Sequence, residues 1–499
     1  MKLMRLHIVR LLLMVLLVLP AVTSCYNYDE EESVAYSDVA ANYINVTISV
    51  SASDNAITRA MPDGGEYGDG TEKGIERENE VKNITLIFYQ DATGINTTSD
   101  EAEVVSVQRY VVRPVTDNDK LTANDEHGHK NTEPGSDYYG KEVLYTTGNQ
   151  KLEGTGLVKG VTYKMLVVAN AYVDVDEGVK IKTNGEDIGL RDMVIGNVFT
   201  GTGKGIDATD FVMASETDAE VTLDEPDDIE TTSNETSYIY YFPCIHIERL
   251  AARIDFDTTG GSYYENPADN TKSGYKYNMG GDIFVLTSVT PFNLYNENEY
   301  LFKRVQNAWP ATATTYLGDE TTEAHTTLTK VANNYVVDPH TAEKNNDNSF
   351  TYLSPIVQYI STGNPYTYSM ATQQTSPITI CYAKENTLMP TSQLKQYATG
   401  IAFEGYYYHG TLADSNPEHR VYYHYIRHQG DKTDTETYKA KQWSELTADE
   451  ASTEDIPMNI GIVRNNIYRI SIKGDGEGKL EVDVQETKWR HVDNPVIYI

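Results

Sequence analysis

Apolar and polar residues alternate at period two at both ends of this chain, and that periodicity commits both ends to strands rather than helices. Near the start the pattern runs Tyr43-Ile44-Asn45-Val46-Thr47-Ile48-Ser49-Val50-Ser51. It places Ile44, Val46, Ile48 and Val50 on one face of an extended segment. At the finish Leu480, Val482 and Val484 alternate in the same way, and Val496-Ile497-Tyr498-Ile499 closes the chain with a second short strand pattern. Strand patterns at both termini suggest a protein that exchanges strands with its neighbours, a building block of a polymer rather than an enzyme.

The body between these ends is also β in character. There are 38 Tyr against 10 Phe and 3 Trp, and with abundant Thr, Asn and Gly this favours strands and turns over helices. A length of 499 residues with 39% hydrophobic content is enough for two or three domains with real cores. The formal net charge is -34, and removal of the first 59 residues leaves -32. Such a surface repels nucleic acid and anionic lipid at long range, so neither is an expected partner. Cys244 and Cys381 sit in apolar strand patterns and read as buried free thiols rather than a bridge.

Ahead of the first strand lies an export signal. Lys2, Arg5 and Arg10 form a basic start, and Leu11 to Pro20 is an apolar run, shorter than the ~20 helical residues a bilayer span needs. Residues 1–24 therefore read as a signal peptide removed on maturation. Its end, Val22-Thr23-Ser24-Cys25, resembles a bacterial lipobox, in which the Cys thiol receives a diacylglycerol. An ordinary secretory signal with a coincidental Cys is the plainer alternative. The cluster Asp29-Glu30-Glu31-Glu32 is by composition a solvated tether. In this position it also resembles the acidic signal that sends some lipoproteins to the cell surface in the Bacteroidetes.

Two β-rich lobes follow. In the first, Ile84, Leu86 and Phe88 alternate within Val81 to Tyr89, and Val104 to Val115 continues the pattern. Met165-Leu166-Val167-Val168-Ala169 has the continuous apolar character of a strand buried on both faces. Ile188 to Ile195 is one of the few candidate short helices, and Thr116 to Asp137 is a polar surface loop. Ile245 to Phe256 is the last strong element before the Gly- and Asn-rich stretch Thr258 to Lys276. The domain boundary is expected there, giving residues 60–262 and 263–499. In the second lobe strand patterns occur at Asp282 to Leu286, Ile356 to Ile360, Pro377 to Ala383, Gly400 to His409, Arg420 to Arg427 and Ile462 to Lys473. Asn307 to Phe350 is a long irregular interruption. The fold class is all-β, with antiparallel β-sandwiches as the natural architecture.

Catalytic signatures are weak. His127 and His129 flank a Gly, and His419, His424 and His428 lie close in sequence. On a strand, however, His424 and His428 share a face that His419 does not, and neither a His-Glu-x-x-His helix nor a Cys pair accompanies them. The chain has no Gly-x-Ser-x-Gly elbow and no phosphate loop ending Gly-Lys-Ser/Thr. No cofactor, metal or catalytic residue is expected.

The segment Gly461-Ile462-Val463-Arg464-Asn465-Asn466-Ile467-Tyr468-Arg469-Ile470-Ser471-Ile472 resembles the C-terminal signature of Bacteroidales fimbrillins, the subunits of type V pili, and is most similar to that of the minor-type fimbrillins. The segment Tyr43 to Gly65, the run Glu248-Arg249-Leu250-Ala251-Ala252-Arg253, and the closing Glu481-Val482-Asp483-Val484 with Lys488-Trp489 agree in order. The resemblance implies two tandem transthyretin-like sandwiches with long loops and few helices.

It also implies a mechanism. Subunits of this kind are outer-membrane lipoprotein precursors, here carrying acyl chains such as palmitate on Cys25. They are cut after an Arg by a trypsin-like or Arg-specific protease, here at Arg59-Ala60, so that residues 25–59 form a lipidated propeptide with a removable first strand. The vacated groove then accepts a strand from another subunit by donor-strand exchange. Donation falls to the tail 479–499 through Leu480, Val482, Val484 and Val496 to Ile499, with Gly474-Asp475-Gly476-Glu477-Gly478 as a flexible hinge. The plain alternatives are that Arg59 is an ordinary loop arginine and that the closing strands belong to the protein's own sheet. The implied role is a structural subunit of a cell-surface fimbrium supporting adhesion and biofilm formation. Its partners would be copies of itself, accessory subunits, the protease and a host or bacterial surface receptor. A fimbrial tip adhesin and a monomeric surface glycan-binding lipoprotein, with Tyr rings stacking on sugars, are the alternatives; a glycosidase trails them.

Overall fold

The computed structural model describes residues 42–50, 71–90, 103–115, 144–302, 364–387, 398–426, 438–440 and 461–490, with short internal breaks, and an isolated hairpin within 342–352. The principal strands of the first half are β1 (Asn42–Asn45), β2 (Thr47–Ser49), β3 (Thr71–Lys73), β4 (Asn83–Gln90), β5 (Glu103–Val111), β6 (Leu144–Thr146), β7 (Gln150–Lys151), β8 (Thr162–Ala169), β9 (Met213–Ser215), β10 (Thr236–Tyr241) and β11 (Ile245–Arg249). Those of the second half are β12 (Ala251–Asp257), β13 (Gly274–Asn278), β14 (Ile283–Phe292), β15 (Ile378–Lys384), β16 (Gly400–Tyr408), β17 (Glu418–Tyr425), β18 (Asn466–Gly474) and β19 (Leu480–Arg490). Apart from short 3-10 turns, the described residues are strands and connections.

The first core lies between two sheets. One runs β5-β4-β8-β9-β11-β2-β6, and the other places the short strand Asp228–Thr231 beside β10, then β1 and β7. β8 is interior, bonded to β4 and to β9. Met165 through Ala169 are all at 0% exposure, which is why this stretch is apolar without alternation. The second core lies between β15-β12-β18-β19-β3 and β13-β14-β16-β17. Alternation decides its inner faces: Tyr468, Ile470 and Ile472 of β18 and Leu480, Val482 and Val484 of β19 are buried in one cluster with Phe284, Leu286 and Phe403. Phe256 of β12 and Phe403 of β16 meet across the sandwich with ring centroids 6.0 Å apart.

Most described ladders are antiparallel, but β1 with β10, β2 with β11, β12 with β18, and β3 with β19 run parallel. Parallel neighbours need long crossover connections, and here each links segments far apart in sequence. The change of core falls between Ala251 and Ala252, before the Gly- and Asn-rich stretch where composition marked a boundary. β11 and β12 are nearly continuous, so a strand rather than a loop joins the domains. The expected helix at 188–195 is absent where it is described: Ile188 ends a short strand Glu186–Ile188, and Val194–Ile195 pairs with Glu299–Tyr300. Ladder bonds to distant segments outweighed a weak local helix preference. Cys244 is half-buried and Cys381 fully buried, and neither is in a disulfide; burial pushes the Cys381 thiol well above its ordinary pKa.

Candidate strand-exchange site

The first strand is deeply enclosed in the first domain. Ile44, Val46, Ile48 and Val50 all have 0% exposure, and the interleaved Asn45, Thr47 and Ser49 are buried as well. The segment turns a corner between sheets. Its first half, β1, lies between β10 and β7, and its second half, β2, lies between β11 and β6. Main-chain bonds secure it on both edges: Phe242 N donates to Asn45 O (2.9 Å), Thr147 N to Val46 O (3.0 Å) and Leu152 N to Asn42 O (3.0 Å). Its loss would therefore open an interior slot with two hydrogen-bonding walls, rather than bare one edge of a sheet. Burial of four such side chains is worth roughly 6 to 12 kcal/mol before relaxation.

A polar key is set into this apolar slot. Thr146 Oγ1 donates to Asn45 Oδ1 (2.8 Å), Asn45 Nδ2 donates to Asn149 Oδ1 (3.1 Å), and Val46 N donates to Thr147 Oγ1 (3.0 Å). At the corner between sheets the regular ladder lapses, and these side chains satisfy the backbone and amide groups that would otherwise be buried unpaired.

The chain leaves the first core at Val50 and is next described at Thr71, where β3 pairs with Lys488–Arg490 of β19 in the second domain. Arg59 and Ala60 fall in that link and, like Cys25 and the acidic cluster behind it, lie outside the described residues. Also outside are Val496 to Ile499, His127, His129, His428, the loop 116–137 and the strand pattern 356–360. Leu480, Val482 and Val484, at 0%, 1% and 2% exposure, belong to the domain's own β19, antiparallel to β18. The Gly-rich link before β19 is an ordered hairpin turn rather than a slack hinge. Asp475 Oδ1 accepts from Glu477 N (2.7 Å) and Lys479 N (2.9 Å), and Asp475 N donates to Lys479 O (3.0 Å).

Arg464, Asn465, Asn466 and Tyr468 come together at the seam between the cores. Arg464, 1% exposed, is held by Glu385 (Nε–Oε2 2.9 Å) and Glu299 (Nη2–Oε1 3.4 Å) and donates from Nη1 to Leu301 O (3.2 Å). Burial works against its charge, but Glu385 and Glu299 outweigh it and hold the guanidinium pKa above its ordinary value. Asn465 adopts φ +59°, a left-handed conformation that Asn tolerates better than most residues. Its N donates to Ala251 O (2.9 Å), and its Oδ1 accepts from Arg249 Nη1 (3.0 Å). Asn466 is buried at the start of β18, and Tyr468 lies in the second core.

Arg249 and Arg253 complete the seam. Arg249, fully buried, donates to Glu78 O (2.7 Å) and to Asn79 Oδ1; burial lowers its pKa, with Glu78 opposing. Arg253 pairs with Glu78 (3.0 Å) and Asp255 (2.9 Å), and Tyr382 Oη donates to the same Glu78 carboxylate. Sequence reading reached Arg249 and Arg253 only through the family-like segment. It missed Glu78, Glu299 and Glu385, because an acidic residue in a polar stretch reads as solvated until the fold buries it. The arrangement ties strands of both domains together.

Among the described residues no group of three or more His, Cys, Asp or Glu is placed to hold a metal. His419 Nε2 lies 2.8 Å from Glu404 Oε1, and Ser288 Oγ donates to Glu404 Oε2 (3.1 Å). These side chains and Tyr406 line a polar groove of about 380 Å³ on the second domain. The Tyr406 ring carries the Lys272 ammonium 5.4 Å from its centroid and meets the His419 ring edge-on at 5.6 Å.

No family model matches the chain, and no curated protein matches it at a significant level. Among solved structures, it is similar to the tip fimbrial protein Mfa3 from Porphyromonas gingivalis with a C-terminal truncation, at 10% identity and TM-score 0.36 over 90% of this chain and 100% of that one. It is also similar to a fimbrilin from Porphyromonas gingivalis, at 10% identity and TM-score 0.34 over 91% and 99% of the two chains. A fimbrial assembly protein from Parabacteroides distasonis is similar at 11% identity and TM-score 0.31, over 89% and 98%. At identities and TM-scores this low, the likeness transfers no function to this chain.

Proposed function

We propose that this chain is a subunit of a cell-surface fimbrium, exported as a lipoprotein through Cys25, cut after Arg59, and joined to other subunits by strand exchange in support of adhesion and biofilm formation. The observation that carries the proposal is the first strand. It is buried on both faces and bonded on both edges, yet it joins the rest of the chain through a single link that contains Arg59. One cut in that link converts a structural strand into a removable one. The second domain keeps its own sheet throughout.

A second reading within this role has its own support. β19 is built into the second core, which favours a subunit that receives a strand and gives none, as at a fimbrial tip. Limited trypsin on the signal-less chain tests the proposal, with the new N-terminus read by mass spectrometry. A cut leaving Ala60 at the terminus is expected, and Arg59→Gln should abolish it; a chain that is never cut at Arg59 overturns the proposal. SDS-resistant ladders of the cleaved chain alone would mark a stalk, and ladders that need a second kind of subunit would mark a tip.

A further inference from the structure

We infer that the slot holding residues 42–50 is keyed to a strand with neutral, hydrogen-bonding side chains between its apolar ones, and that it therefore takes its strand from a different subunit rather than from the closing strand of another copy of this chain. The inference rests on the proposed strand exchange and adds the identity of the donor.

The resident strand defines the requirement. Four alternate positions, 44, 46, 48 and 50, are apolar and wholly buried. What distinguishes the slot is the other face. Asn45 and Thr47 are each 5% exposed and Ser49 is 0% exposed, so a side chain at any of these places is dehydrated. Asn45 meets Thr146 as a donor and the Asn149 amide oxygen as an acceptor. An amide satisfies both at once, because it offers an acceptor oxygen and donor N–H groups.

The chain's own closing strand fails on that face. With Leu480, Val482 and Val484 at positions 44, 46 and 48, Glu481 and Asp483 fall at positions 45 and 47. A shift of two residues instead brings Lys479 and Glu481 to the same places. A buried charge needs a compensating partner. At position 45 a carboxylate has no N–H to give the Asn149 Oδ1 that now accepts a hydrogen bond from Asn45, and that bond is lost. In β19 these same side chains are accommodated: Glu481 and Asp483 are only partly buried, and Glu481 pairs with Lys473 at 2.9 Å. The tail beyond does no better. Counting back from either face of Val496 to Ile499, the third apolar position is occupied by Pro495 or Asn494.

Peptide exchange into the signal-less chain cut after Arg59 tests the inference, in urea just below the unfolding transition and with incorporation read by native mass spectrometry. Four peptides are compared: residues 42–50; the same with Asn45→Glu and Thr47→Asp; residues 479–487; and the last with Glu481→Asn, Asp483→Thr and, at the place of Val50, Glu486→Val. The first should exchange in. The second and third should bind at least ~100-fold more weakly, and the fourth should regain much of the loss. If peptide 479–487 enters as readily as 42–50, the keyed slot is wrong while strand acceptance stands. If peptide 42–50 itself never enters, strand acceptance falls as well.

Discussion

At the scale of single residues, Arg464 shows how a short motif acquires its meaning from residues far away. Replacing it with Met would leave Glu299 and Glu385, at 0% and 1% exposure, facing each other without a cation. A broken buried ion pair of this kind costs about 3 to 5 kcal/mol. Arg464→Met should therefore lower the urea midpoint of the second domain by a corresponding amount. Arg464→Lys should recover only part of it, because an ammonium cannot serve Glu385, Glu299 and the Leu301 carbonyl in the same fork geometry. A second residue-scale prediction concerns pH. Burial raises the pKa of Asp257, but hydrogen bonds from Ser376 Oγ (2.6 Å) and Thr259 N (2.8 Å) outweigh it, and the net value lies below the ordinary 3.8. A depressed folded value means that its contribution to stability is fully present above the unfolded pKa and is lost as pH falls through the folded one. In Ser376→Ala the Asp257 titration, followed by carboxyl NMR, should move upward. The Arg464-Asn465-Asn466 motif was legible before any coordinates, but its acidic partners were not. They come from segments some 80 and 165 residues upstream, and no local pattern distinguishes a carboxylate that will be buried from one that stays in water.

At the scale of elements, alternation located the strands well and the connections poorly. Val81 to Tyr89, Met165 to Ala169 and Gly400 to His409 occur as strands close to their expected spans, because burying one or both faces of a strand leaves a periodic trace. The pattern Ile462 to Lys473 is divided, with a short strand Gly461–Ile462, a turn at Arg464 and Asn465, and the long strand Asn466–Gly474. The link Gly474 to Gly478 misled for a physical reason. Gly and Asp suit a slack hinge and a tight turn equally, and only the two bonds to Asp475 Oδ1 distinguish them. Asp475→Ala should cost about 1 to 2 kcal/mol and speed amide exchange of Lys479 without altering the first domain; unchanged exchange there would return the link to a hinge. The segment 188–195 misled in the opposite direction, since its strand character comes from pairing with Glu299–Tyr300.

At the scale of the whole molecule, the two ends of the chain turn out to be unequal. Truncation after residue 479 deletes β19 and strips Leu480, Val482 and Val484 from the second core. That loss is roughly 5 to 9 kcal/mol, comparable with the whole stability of an ordinary domain. Calorimetry should show the second transition lost and the first retained; a truncated chain that keeps both would mean that β19 is dispensable and free to be donated.

Period-two alternation and Tyr-rich composition were sufficient to establish an all-β chain, because strand burial and side-chain content are local properties written in order along the sequence. The enclosure of the first strand on both edges, the neutral key around Asn45, the seam of Arg249, Arg253 and Arg464 with its hidden carboxylates, and the anchoring of the closing strand were settled only in three dimensions. Each depends on which distant segments become neighbours. Pairing partners across one or two hundred residues are chosen by the packing of the whole domain, and no stretch of the chain records that choice by itself.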